Sequence, residues 1–141
     1  MLEESREPVA EHLKELFEEE AWEVAAGLAR AARAREDGYP EVAALMEEIA
    51  RGEARHLSLV TRILYPERIE RDVRTNLQAM LEGDRGAAER EKLMAEKARQ
   101  AGMEREAALF EALARDEVEH VAKVEAALRH LNPQTGGEGG T

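Results

Sequence analysis

A chain of 141 residues with 36% charged and only 4% aromatic residues fits one domain of long helices, which favour Ala, Glu, Leu and Arg. Its net charge of −11 argues against nucleic acid and anionic membrane surfaces as partners, since both reward basic patches, and it suits cations as ligands. The lack of cysteine excludes disulfides, thiolate metal sites, iron–sulfur clusters and catalytic thiols.

The N-terminal stretch MLEESREPVAEHL is acidic and has no apolar run of signal-peptide type. No segment approaches the ~18 apolar residues of a membrane span, so a cytoplasmic location is the expectation. The first predicted helix carries Leu13, Leu16, Phe17, Val24 and Leu28 at helical spacing. Pro8 suits its first turn, Ser5 or Glu7 its cap, and Gly38 its C-terminal end. The second starts near Pro40 and carries Val42, Leu45, Met46, Ile49, Leu57, Val60 and Leu64. Residues 66–73 also read as helix, with Ile69, Val73 and Leu77 on one stripe. The third long helix holds Leu77, Met80, Leu81, Met94 and Ala98 and ends near Gly102. The fourth holds Leu109, Phe110, Leu113, Val121, Val124 and Leu128. Residues 132–141, NPQTGGEGGT, have the composition of a flexible tail beyond a helical domain at 1–131.

The chain repeats itself. Shifted by 64 residues, Leu13 falls on Leu77, Phe17 on Leu81, Gly38 on Gly102, Ile49 on Leu113, Val60 on Val124 and Leu64 on Leu128. The expected architecture is therefore an all-α four-helix bundle of two like antiparallel hairpins, at about 8–65 and 66–131. Polar residues obey the same shift: Glu20 falls on Asp84, Glu53 on Glu117 and His56 on His120. Each interrupts an apolar seam. Glu20 lies 18 residues before Gly38 and Glu53 15 after it, and Asp84 and Glu117 repeat these offsets around Gly102. At ~1.5 Å per residue those depths are roughly 27 and 23 Å, so the six side chains can share one layer. Glu and His three residues apart lie on one helix face and can reach one ion.

Four carboxylates in one apolar layer repel one another and are costly to bury unpaired. Two divalent cations neutralise them, and two neutral imidazoles complete a ligand set that suits Fe, Mn or Zn. The motifs are Glu53-Ala54-Arg55-His56 and Glu117-Val118-Glu119-His120, with one further carboxylate on each remaining helix. This is the pattern of ferritin-like di-metal carboxylate proteins. The chain resembles that superfamily over residues 10–130, and most of all its rubrerythrin-type di-iron domain. The segment Asn76-Leu77-Gln78-Ala79-Met80-Leu81-Glu82-Gly83-Asp84 looks like the start of that family's third helix. The resemblance implies two iron ions, with Mn or Zn as alternatives, a peroxide or dioxygen substrate and an external electron-donor protein. The sequence departs from the family at three points. Asp84 stands where the family has Glu. The family's additional third-helix carboxylate is replaced by Ala87, for which Glu23, one turn beyond Glu20, is a candidate substitute. The cysteines of a rubredoxin part are missing.

Three readings remain open on the sequence. One is a peroxide- or oxygen-reactive oxidoreductase, one a ferritin-like iron oxidase, and one a metal-free bundle that docks partners. Neither a nucleophile motif nor a phosphate loop supports a hydrolase or nucleotide enzyme. His12 and His130 lie far from the layer, and Trp22 lies off the Glu20 face, where it marks a candidate interface. A homodimer is expected. Two hairpins related by a perpendicular two-fold require a return of the bundle's length between Leu64 and Leu77, and exchange of hairpins between chains removes that demand.

Overall fold

The structure, a computed structural model, describes residues 2–131. Five helices occur: α1 (Leu2–Glu36), α2 (Pro40–Leu64), α3 (Pro66–Ile69), α4 (Val73–Gln100) and α5 (Glu104–Leu131). Among the described residues there is no strand. α1 pairs with α2 and α4 with α5, each as an antiparallel hairpin. The chain is all-α, as its periodicity predicts. It divides between Glu70 and Arg71 into two compact units, each holding one hairpin. The Gly-rich segment read as a tail lies outside the described residues.

The two long-helix turns are built alike. Gly38 has φ 86° and Gly102 φ 73°, the left-handed region that glycine enters without a Cβ penalty. In the first turn the Tyr39 N–H donates to the Ala34 carbonyl at 2.8 Å and the Gly38 N–H to Arg35 at 3.0 Å. In the second, Met103 donates to Ala98 at 2.9 Å and Gly102 to Arg99 at 3.1 Å. Both turns thus satisfy the last carbonyls of the preceding helix in the same Schellman pattern. An ion pair then ties each hairpin together beside its turn: Arg35 to Glu47, and Arg99 to Glu111. The two pairs are 64 residues apart, a further element of the repeat. Hydrogen bonds from Arg35 and Arg99 hold the carboxyls of Glu47 and Glu111 below their ordinary range.

Small residues line the hairpin seams. Ala26, Ala31, Ala43, Ala50 and Val60 are buried in the first unit, and Ala95, Ala98, Ala107 and Val124 in the second. A Cβ added at Gly27 would lie 3.1 Å from the Ala50 Cβ, which shows how closely α1 and α2 approach. Two helices at that distance cannot enclose bulky side chains. The seam residues Leu45, Ile49, Leu109 and Leu113 are accordingly exposed.

Two expectations need correction. Pro8 does not open α1; the helix begins at Leu2 and contains it. Proline near the start of a helix forfeits a single bond to the preceding turn, and Glu7 lies towards the positive end of the helix dipole. The helix read through 66–73 is also broken. α3 stops at Ile69, and Asp72 adopts an extended conformation (φ −64°, ψ 158°) as the cap of α4. Its carboxylate accepts from the Thr75 N–H at 2.9 Å and the Thr75 hydroxyl at 2.7 Å. That side-chain competition for a backbone donor ends one helix and starts the next. Tyr65, between α2 and α3, packs edge-on against Phe17 at 5.9 Å.

Candidate metal centre

Each hairpin gathers three of the predicted side chains. Glu20 comes from α1 and Glu53 and His56 from α2, with one potential ligand atom from each lying within 4.8 Å of the other two. Asp84 from α4 and Glu117 and His120 from α5 meet the same limit. The helical reasons are those of the spacing: Glu-x-x-His sets both donors on one face, and the antiparallel partner brings its carboxylate to the same depth. Glu23 is exposed and stands outside both groups. Both groups consist only of residues that the repeat singles out. What the spacing could not reveal is that each set of three is already complete within one hairpin.

In the first triad the His56 Nδ1 lies 3.2 Å from Glu53 Oε2 and 3.6 Å from Glu20 Oε1. In the second, the His120 Nδ1 lies 3.4 Å from Glu117 Oε2. Donors bound at about 2.1 Å to one ion sit roughly 3.0–3.4 Å apart, so these separations are close to those of a shared ligand shell. The Glu20 side chain is only 14% exposed, and its Oε2 is buried without a hydrogen-bond partner. A buried carboxylate oxygen in that state is costly, and a cation beside it removes the cost.

Electrostatics within the first triad point the same way. A hydrogen bond with Glu53, then burial and the Glu53 charge, raise the Glu20 carboxyl above the ordinary carboxylate range, with His56 opposing. The same hydrogen bond from Glu20 lowers Glu53, which His56 lowers further against the effect of burial. Two acids close together disfavour carrying both charges, and the higher of the two pKa values falls on Glu20. Oxygen and imidazole donors of this kind fit a transition-metal ion, and the orphaned Glu20 oxygen supplies the structural reason for one.

No family model matches the chain. It is 32% identical over 112 residues to the uncharacterized protein MJ0746 of Methanocaldococcus jannaschii, covering 79% of this chain and 78% of that protein. The chain belongs to the same family as that Methanocaldococcus protein. It is also 40% identical over 87 residues to reverse rubrerythrin-1 of Clostridium acetobutylicum, across 62% of this chain. The aligned part is 48% of that relative, so the chain spans about half the length of the rubrerythrin it matches. The likeness to a rubrerythrin covers part of the chain, and the geometry shows two groups of carboxylate and histidine side chains that could hold a metal ion. Among the described residues, no helix is long and apolar enough to cross a membrane.

Proposed function

We propose that the chain is a rubrerythrin-type oxidoreductase whose two triads together hold two iron ions and which reduces hydrogen peroxide or reacts with dioxygen. The observation that carries this reading is the pair of triads, Glu20–Glu53–His56 and Asp84–Glu117–His120, formed at equivalent places of a 64-residue repeat. Likeness to reverse rubrerythrin-1 supports the reaction class.

The donor set balances in charge. Glu20, Glu53, Asp84 and Glu117 carry four negative charges against the four of two divalent ions, and neutral His56 and His120 add none. Iron held by these residues would supply the redox chemistry, since two ferrous ions giving one electron each, with two protons, would balance the reduction of hydrogen peroxide to two waters. The raised Glu20 carboxyl means that a bound cation would compete there with a proton at acidic pH. The 141 residues carry no cysteine, so the electrons are returned from outside them. Manganese or zinc are the alternative occupants of the same ligands.

Stopped-flow oxidation of the ferrous, metal-loaded protein tests the reading. Oxidation should be faster with peroxide than with dioxygen, and Glu53→Ala and Glu117→Ala should each remove the fast phase. Faster oxidation by dioxygen would move the chain to iron oxidation of the ferritin kind. Inertness to both oxidants would leave a bundle that docks partners.

A further inference from the structure

The repeat is exact in residue type at Glu53/Glu117 and His56/His120, but it sets a glutamate at position 20 against an aspartate at position 84. We propose that the two triads fill in order: the first divalent ion enters Glu20–Glu53–His56, and the second binds more weakly at Asp84–Glu117–His120. The proposal rests on the metal-binding reading above and adds an inequivalence to it.

Three observations carry it. First, the imidazole of His56 is met from two helices, by Glu53 of α2 at 3.2 Å and Glu20 of α1 at 3.6 Å. Its counterpart His120 is met at 3.4 Å by Glu117, a residue of its own helix. Among the described residues Asp84 makes no comparable contact with His120, although its ligand atom lies within 4.8 Å. Second, aspartate lacks one methylene, which shortens its reach by roughly one C–C bond, ~1.5 Å. The Asp84 carboxylate therefore reaches less far towards an ion held by α5 than Glu20 reaches towards one held by α2. Third, the buried oxygen without a partner belongs to Glu20. The first triad therefore gains a relief of desolvation cost on binding that the second does not. A preorganised donor set loses less conformational freedom on binding than one that has to close.

Titration of the metal-free full-length chain with Mn(II), followed by isothermal calorimetry, tests the order. Two phases of one ion each are expected, separated by roughly tenfold or more in affinity. Glu53→Gln should remove the tight phase and leave the weak one. Glu117→Gln should do the reverse. Asp84→Glu should tighten the second phase towards the first, a gain that misfolding cannot produce. As a second readout, electron paramagnetic resonance at one equivalent should show an isolated Mn(II) signal in wild type and Glu117→Gln alike. A single phase of two equal ions would overturn the order. So would loss of the tight phase in Glu117→Gln, or a second phase that Asp84→Glu leaves unchanged. Absence of binding in the wild-type chain would instead remove the metal-binding reading on which the order rests.

Discussion

At the scale of single residues, the opposite shifts of the Glu20 and Glu53 carboxyls give the metal-free protein a definite pH response. Glu20 titrates above its ordinary value of 4.5, chiefly through its hydrogen bond with Glu53 and its burial. Its contribution to metal-free stability is complete below the unfolded pKa and is lost as pH rises through the raised value. Glu53 is lowered by the same bond, so its contribution is present above the unfolded pKa and is lost as pH falls through the lowered one. Metal competes with the Glu20 proton. The rise in melting temperature on adding Mn(II) should therefore grow as pH increases through the raised Glu20 value, which paired thermal melts across pH will show. Glu20→Gln should flatten that part of the curve and release fewer protons per bound ion, measured by calorimetry in buffers of different ionisation heat. A pH-independent metal shift would show that Glu20 is not a ligand. The seam positions of Glu20 and Asp84 were legible in the sequence, because each interrupts an apolar stripe at a matching distance from a glycine. The unequal reach of the two side chains was legible only as a missing methylene. The raised Glu20 carboxyl was not, since it depends on the distance between two helices.

At the scale of elements, the repeat extends to turn chemistry. Nothing lies within 4 Å of a Cβ built at Gly38 or Gly102, so substitution there is opposed by backbone conformation and not by neighbours. Gly38→Ala and Gly102→Ala should each destabilise by about 1–2 kcal/mol, the cost of an L-residue in the left-handed region, as measured by denaturant unfolding. An unchanged midpoint in either variant would mean that its turn rearranges freely. Helix ends at Gly38, Pro40 and Gly102 could be read from sequence because one residue type at each point has a single strong conformational preference. The break at residues 70–72 could not. The apolar stripe of Ile69, Val73 and Leu77 runs through it, and the local bond from Thr75 to Asp72 overrides the stripe. The Ala-lined seams were hidden for a related reason. Periodicity marks which face of a helix is apolar, not how closely its partner approaches, and Gly27 against Ala50 sets that distance here.

At the scale of the molecule, each hairpin carries one triad, and the linker between them is short. Glu53 lies 11 residues before the end of α2 at Leu64, and Asp84 lies 11 after the start of α4 at Val73. Each is thus ~17 Å along its helix from the linker. A two-fold perpendicular to the helices, as the ferritin-like resemblance implies, demands a return of roughly 33 Å by the same rise. The linker spends α3 in helix, and its reach is only about 23 Å. We therefore propose a homodimer that exchanges hairpins, each centre taking one triad from each chain. The break before Asp72 also opens a rival closure. A tight return within one chain would set Glu53 and Asp84 at equal depth, without the ~10 Å offset that a continuous helix from Pro66 would impose. Light scattering should give twice the 15.7 kDa chain mass, whereas a monomer that retains two ions would end the exchange. Either closure keeps the central claim, that six side chains of two like hairpins bind two ions. Equilibrium dialysis of the purified chain against Fe(II) or Mn(II), with the bound metal counted, tests that claim most directly. The account predicts two ions per chain and one in Glu53→Ala; fewer than one ion per wild-type chain, with an unchanged melting temperature, would contradict it.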